Sequence, residues 1–126
     1  MQFNTRFMRA FFYLSSCDTC KRIMKSLPLD EKGIELIDLK KNPLTPTQLD
    51  HLYALSECYE ALFSKRAQLY KQRDLNNQNL TEKDYRTLLL EHYTFLKRPV
   101  LVYDTRLFIG NTTKVTEAAK SFLDEC

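Results

Sequence analysis

Two cysteines separated by two residues, Cys17 and Cys20, are the residues of this chain best suited to covalent chemistry. They follow a short apolar run at residues 10–14 and open a segment with helical spacing. A helix N-terminus favours negative charge, and the thiolate is the nucleophilic form of cysteine. Lys21 and Arg22 add positive charge beside the pair. The pattern predicts either a redox-active dithiol or half of a metal site.

The rest of the chain favours the redox alternative over the metal site. A structural zinc site needs four ligands, commonly two such cysteine pairs. The remaining cysteines and histidines are scattered without ligand spacing, and they are His51, Cys58, His92 and Cys126. Both histidines fall on predicted helices among polar residues, and neither is a candidate catalytic base. We therefore expect no metal, with Cys17 as the attacking thiolate and Cys20 as the resolving thiol.

Length and composition indicate one globular domain. The chain has 126 residues, of which 44% are hydrophobic and 28% are charged, values typical of a soluble protein with one core. The formal net charge of +3 is spread along the chain, which gives no reason to expect direct nucleic-acid binding. No apolar run is long enough for a bilayer, so no membrane contact is expected. A redox Cys-x-x-Cys pair indicates a reducing compartment, the cytoplasm.

The N-terminal end leaves two alternatives open. Arg6 and Arg9 precede the apolar patch at residues 10–14, which weakly suggests a signal peptide. The patch is too short, and no convincing cleavage site follows it. Met8 is an alternative native start, in which case residues 1–7 are an extension.

The cysteine pair is predicted to lie at the first turn of a β-α-β unit. The first strand ends at Leu14, and helical spacing continues through Ile23 and Leu27 until Pro28 stops it. Residues 34–39 then have the composition of a second strand. Strands joined by a crossover helix are expected to be parallel, with a right-handed connection.

The middle of the chain is predicted to be helical to about residue 92. Thr45 and Gln48 have the spacing of a capping box at the start of one helix. Thr81 and Asp84 have the same spacing and mark a second helix start.

The last part of the chain changes character. Residues 99–103 and 106–109 are predicted strands joined by a turn at Asp104 and Thr105, which is a hairpin. A closing helix starts at Thr112 or Thr113. The element order predicts an α/β protein with one mixed sheet flanked by helices. Six aromatic residues are expected in or near the core, and they are Phe11, Phe12, Phe63, Tyr85, Phe95 and Phe108.

The ordered set of motifs resembles the arsenate reductase/Spx family of ArsC-like proteins. The matching segments are residues 13–20, 42–45, 64–66, 97–102 and 106–107 with Gly110. The resemblance implies a thioredoxin-like mixed sheet flanked by helices, with a helical segment inserted between the two halves. A single domain spanning residues 1–126 would then comprise a β-α-β start at 9–41, a helical insertion at 42–95, and a hairpin with closing helix at 96–124.

The resemblance also implies site residues. Cys17 falls on the family's catalytic cysteine, and Arg98 on an arginine that contacts the oxyanion in arsenate reductases. Pro99 falls on a proline whose preceding peptide bond is typically cis and faces the cysteine. Cys17, Cys20 and Arg98 form the predicted catalytic set. The predicted substrate-binding residues are Ser16, Lys21, Lys65, Arg66 and Pro99.

Two functions follow from the resemblance. The first is a thiol-disulfide oxidoreductase similar to arsenate reductase, without metal or organic cofactor, reduced by glutathione and glutaredoxin or by thioredoxin. The second is an Spx-like redox-sensing transcription regulator that binds the RNA polymerase α subunit. Arsenate-reducing members usually carry one cysteine in this motif and an arginine where Ser64 stands, whereas a Cys-x-x-Cys pair is similar to Spx. Spx contacts polymerase partly through a glycine that aligns roughly with Cys58 here.

Overall fold

The structure, a computed structural model, describes residues 8–126. The signal-peptide and start-site alternatives concern residues 1–7, which lie outside the described residues. Within the described range the chain forms four strands and five α-helices. The strands are β1 (Arg9–Tyr13), β2 (Glu35–Asp38), β3 (Val100–Tyr103) and β4 (Arg106–Ile109). The helices are α1 (Asp18–Ser26), α2 (Pro46–Ser56), α3 (Gln68–Gln72), α4 (Glu82–Glu91) and α5 (Thr113–Glu125).

The chain divides into two compact units. The first contains the described residues up to Asn42 together with Arg98–Cys126, and the second is Pro43–Lys97. All four strands therefore belong to the first unit, together with α1 and α5. None of the helices between residues 8 and 126 has the length and apolar character that crossing a bilayer requires.

The first unit is built on one mixed sheet with the strand order β2-β1-β3-β4. β1 pairs in parallel with β2, with Tyr13 opposite Asp38, and antiparallel with β3, with Phe12 opposite Val100. The parallel β1–β2 pair confirms the predicted β-α-β start. β3 and β4 form the predicted hairpin, in which the turn residue Asp104 is left-handed with φ 56°.

The core of the first unit lies where α1 and α5 pack against one face of the sheet. Phe11 from β1 and Leu101 from β3 meet Ile23 of α1 and Leu123 of α5 there, and each is at least nine-tenths buried. Apolar residues at helical spacing in the helices and alternate positions in the strands supply this layer. The cysteine-bearing helix is thus anchored through its apolar face, which leaves its first turn at the carboxyl end of β1.

The second unit is organised around Phe63, which is 1% exposed. Its ring stacks on Phe95 with 5.1 Å between centroids and meets Tyr70 and Tyr85 edge-on. Ser64 donates its N–H to the carbonyl of Phe95 over 2.7 Å, so the backbone closes around the same cluster. All six aromatic residues expected in the core are buried.

The middle of the chain, expected to stay helical to about residue 92, contains more breaks than that expectation. Short 3-10 turns at Glu60–Leu62 and Leu75–Asn77 separate the helices, and a third at Tyr93–Phe95 lies between α4 and β3. α2 ends where Glu57 adopts φ 61°, and the segment after α3 turns at Asp74 with φ 55°. Neither position is a glycine or follows a proline, so the sequence carries no strong stop signal there. Both predicted helix starts are confirmed as capping boxes at Thr45 and Thr81.

Candidate active site

Cys17 occupies the N-cap position of α1, as the spacing predicts. Its backbone is extended (φ −100°, ψ 110°) and its N–H donates to the carbonyl of Leu14 over 3.0 Å. The Sγ atom accepts a hydrogen bond from the N–H of Cys20 at 3.4 Å. The first N–H groups of a helix have no intrahelical acceptor and carry partial positive charge. The half-exposed Cys17 therefore has a sulfur that accepts a backbone hydrogen bond and lies in the positive field of the helix N-terminus.

Cys20 lies one turn further along α1 and is fully buried at 0% exposure. The pKa of its thiol is raised to about 11, mainly by burial and in smaller part by the neighbouring Cys17. A hydrogen bond with the backbone of Leu14 and the positive charge of Arg98 oppose this increase. The two sulfurs thus differ in environment: that of Cys17 is accessible at the helix end, whereas that of Cys20 is buried and stays protonated at neutral pH.

Arg98 and Pro99 belong to the same unit as the cysteines, immediately before β3. The peptide bond between them is cis, as the resemblance implies. Pro99 is buried, and its carbonyl accepts the N–H of Gly110 over 2.9 Å from the end of β4. Arg98 is half-buried, and its charge acts on the Cys20 thiol. The structure therefore brings all three predicted catalytic residues into one neighbourhood.

The predicted substrate-binding residues divide between the two units. Ser16 is exposed in the turn before Cys17, and Lys21 is exposed on the first turn of α1. Lys65 and Arg66 are exposed residues of the second unit, in the segment before α3.

Lys65 is engaged within its own unit. Its Nζ lies 2.6 Å from the Oε2 of Glu60, which also accepts a hydrogen bond from the Tyr85 hydroxyl at 3.3 Å. The hydrogen bond with Glu60 is the main reason that the pKa of Lys65 is raised. The cation is thus fully charged at neutral pH and already held by a carboxylate.

The histidines differ from the sequence-based expectation in one respect. His51 was predicted among polar residues, yet it is only 3% exposed, next to buried Leu52 on α2. His92 follows α4, and its Nδ1 accepts the N–H of Thr94 at 3.0 Å. Both histidines belong to the second unit, whereas the cysteine pair belongs to the first.

Asp38 is the buried polar residue near the cysteine turn that sequence reasoning missed. It ends β2 opposite Tyr13, is 6% exposed, and accepts the N–H of Ser15 at 3.3 Å. The sequence feature that could have identified Asp38 is its position as an acidic residue at the end of the predicted second strand, which was expected to pair in parallel with the strand before Cys17. Among residues 8–126, no group of three or more histidine, cysteine or acidic side chains is placed to hold a metal ion.

The sequence matches the ArsC family over residues 12–119. A regulatory protein, MgsR, from Bacillus subtilis is 30% identical over 103 residues, which is 79% of this chain and 80% of that protein. The global transcriptional regulator Spx 2 of Bacillus cereus is 26% identical over 82% of this chain and 79% of its own length.

Solved structures show the same fold. The crystal structure of "a possible arsenate reductase" from Streptococcus mutans has a TM-score of 0.70 and 27% identity, covering 94% of this chain and 98% of that one. The predicted fold class, a thioredoxin-like mixed sheet flanked by helices, is confirmed by the observed sheet and by such similarities.

Proposed function

Because this chain belongs to the ArsC family, we propose that it is a thiol-disulfide oxidoreductase in which Cys17 is the attacking thiolate. The observation that carries the proposal is the asymmetry of the cysteine pair. The Sγ of Cys17 is accessible and accepts a backbone N–H at a helix N-terminus. Cys20 is buried, and the pKa of its thiol is raised to about 11. An accessible sulfur at a helix N-terminus suits the attacking role, and a second thiol one turn away is close enough in sequence to resolve the mixed disulfide.

The proposed reaction begins with attack of the Cys17 thiolate on one sulfur of a substrate disulfide. A mixed disulfide forms, and the other substrate sulfur leaves as a thiolate. Cys20 then loses its proton and attacks the Sγ of Cys17, which releases the second substrate thiolate and forms the Cys17–Cys20 disulfide. Two electrons from glutathione and glutaredoxin, or from thioredoxin, restore the dithiol. With arsenate, the Cys17 thiolate attacks arsenic and one arsenate oxygen leaves as water, which gives a sulfur–arsenic(V) adduct. Cys20 or an external thiol then attacks the Cys17 sulfur, the electron pair of the S–As bond leaves with arsenic as arsenite, and the two sulfurs are oxidised to a disulfide.

The remaining predicted residues are proposed to bind the substrate. Arg98 offers a planar guanidinium that suits an oxyanion or a carboxylate of a thiol substrate. Its position before the cis bond to Pro99 and its charge effect on Cys20 support this role. Ser16, Lys21, Lys65 and Arg66 are proposed as further contacts. No metal or organic cofactor takes part in the proposed reaction, and its reductants belong to the reducing cytoplasm.

The direct test is turnover in cysteine variants. With a small disulfide or arsenate and each thiol donor in turn, Cys17→Ser is expected to abolish activity. Cys58→Ser, which changes a half-exposed cysteine of the second unit, serves as the matched control and is expected to keep full activity. Cys20→Ser should retain the first covalent step and accumulate the mixed disulfide, which mass spectrometry detects. Equal turnover in Cys17→Ser and the parent protein would refute the mechanism.

A second candidate function is a redox-sensing transcription regulator that binds the α subunit of RNA polymerase. The similarity to MgsR and to the global transcriptional regulator Spx 2 favours it. In this role the Cys17–Cys20 pair reports oxidation without turnover. Capture of purified α subunit that changes between oxidised and reduced protein, and that is lost in Cys17→Ser, would support the regulator. Thiol-dependent turnover without α-subunit capture would support the enzyme.

A further inference from the structure

Asp38 is a charged residue in a buried position of the first unit. It ends β2, where it pairs with Tyr13 at the end of β1, and it is only 6% exposed. A carboxylate removed from water is strongly unfavourable unless hydrogen bonds replace the lost solvent. The bonds that Asp38 receives therefore indicate why this residue type stands at the end of an otherwise apolar strand.

Two backbone N–H groups converge on one oxygen of Asp38. Its Oδ1 accepts the N–H of Lys40 at 3.2 Å and the N–H of Ser15 at 3.3 Å. Burial alone would raise the pKa of Asp38, but hydrogen bonds from the Ser15 hydroxyl and these N–H groups, with the charge of Lys41, lower it below its usual value. The side chain is thus an ionised acceptor at neutral pH.

The two bonds have different reach. The bond from Lys40 is local, because it spans two residues and shapes the turn that follows β2. The bond from Ser15 spans 23 residues of sequence and joins the end of β2 to the turn that carries the reactive cysteine. Only the second bond links Asp38 to the chemistry.

A short chain of contacts leads from Ser15 to the sulfur. Ser15 is the second residue of the turn whose first carbonyl, that of Leu14, accepts the N–H of Cys17 at 3.0 Å. Cys17 then caps α1 and holds its Sγ 3.4 Å from the N–H of Cys20. A shift of Ser15 would move the N-cap residue relative to the helix end. The position of the sulfur at the helix N-terminus therefore depends on what holds Ser15.

We propose that Asp38 is a positioning residue for Cys17, acting through the hydrogen bond that its carboxylate accepts from the backbone of Ser15. The inference rests on the proposed role of Cys17 as the attacking thiolate. Asp38 does not touch the substrate; it keeps the Leu14–Cys17 turn in the geometry that places Sγ at the free N–H groups of α1.

The test measures the alkylation rate of Cys17 by iodoacetamide in the folded protein, with peptide mass spectrometry to separate it from the other cysteines. Asp38→Ala is expected to slow Cys17 alkylation by about tenfold, the effect of losing about 1.4 kcal/mol of hydrogen-bonded stabilisation. Asp38→Asn keeps an oxygen acceptor at the same place and is expected to restore the rate to within about threefold. Asp30→Ala, which removes an exposed carboxylate of the same unit, is the matched control and should leave the rate unchanged.

Two comparisons separate positioning from loss of stability. In urea all variants should alkylate at the same rate, because the geometry is gone. If Asp38→Ala does not fold, Asp38→Glu replaces it, since it keeps the charge but displaces the acceptor by one methylene. Cys17 should then react faster in Asp38→Asn than in Asp38→Glu. A native rate in Asp38→Ala, or a rate in Asp38→Glu that equals or exceeds that of Asp38→Asn, would overturn the proposal.

The alkylation experiment tests the role of Asp38 separately from the proposed oxidoreductase activity. Alkylation of Cys17 needs no substrate, so it reports the effect of Asp38 even if no disulfide or oxyanion is ever turned over. Failure of the proposed function appears instead as unchanged turnover in Cys17→Ser. If Asp38 positions Cys17 and Cys17 is the attacking thiolate, Asp38→Ala is expected to show both slower alkylation of Cys17 and slower turnover of the substrate.

Discussion

The backbone N–H of Cys20 donates to the Sγ of Cys17 across 3.4 Å, while the thiol of Cys20 itself lies fully buried. One residue thus supports its partner's sulfur through the main chain and keeps its own proton. Because Cys17 caps α1 and Cys20 lies in its first turn, the helix that creates the favourable site at its end also buries the second thiol.

The first prediction concerns the order of labelling. At pH 8, iodoacetamide is expected to modify Cys17 well before Cys20, because Cys20 is 0% exposed and the pKa of its thiol is raised to about 11. Peptide mass spectrometry over a time course gives both rates. In urea the difference should disappear. Equal rates in the folded protein would contradict the assigned roles of the two thiols.

The second prediction concerns stability at alkaline pH. The pKa of Cys20 is raised from 9.0 to about 11, so the folded state retains a proton that the unfolded state releases. The resulting stabilisation is complete below pH 9 and is lost as the pH rises through 11. Urea unfolding between pH 8 and 11 should show a smaller decline in Cys20→Ala than in the parent protein. Cys58→Ala is the control, and a parent-like decline in Cys20→Ala would contradict the argument.

The third prediction tests the capping box of α2. Thr45 accepts the N–H of Gln48 through its Oγ1 at 3.1 Å and donates its own N–H to the Gln48 side chain at 3.0 Å. Thr45→Ala is expected to lower the free energy of unfolding by about 1 kcal/mol. Thr47→Ala, at an exposed position in the same first turn, should have a much smaller effect. The midpoint of urea unfolding measures both, and equal losses would argue against the cap.

The fourth prediction separates binding from stability at Lys65. Its ion pair with Glu60 is exposed, and such pairs contribute little to stability. Lys65→Ala is therefore expected to leave the unfolding midpoint nearly unchanged. If Lys65 binds an anionic substrate, the same variant raises KM with little change in kcat. Lys71→Ala, an exposed lysine of α3, is the matched control. An unchanged KM in Lys65→Ala would remove this residue from the proposed substrate contacts.

Local signals made much of the fold predictable. The capping residues Thr45 and Thr81 mark their helix starts directly, because side-chain oxygen and N–H groups meet within one turn of sequence. The hairpin turn at Asp104 is local in the same sense. The position of Cys17 at the end of α1 also follows from an apolar strand and a helical pattern on either side of it.

The features that were not predictable depend on contacts between distant residues. The left-handed Glu57 ends α2, and the segment after it is held by Glu82, whose carboxylate accepts the N–H groups of Tyr59 and Glu60. Glu82 lies more than 20 residues from Tyr59 and Glu60, so no local sequence pattern predicts these hydrogen bonds. Asp38 is similar, since its bond to Ser15 exists only once two strands are paired in register. His51 is buried although its residue type suggests a polar face.

The place of β1 between β2 and β3 has a consequence for how the protein emerges from the ribosome. One edge of β1 is completed by β2 early in synthesis, but the other edge needs β3, which begins at Val100. The second unit lies wholly between these events and is continuous in sequence. Nascent chains that stop short of Val100 therefore leave the strand that leads to Cys17 with an open edge, and β1 is paired along both edges only when about the last fifth of the chain is being made.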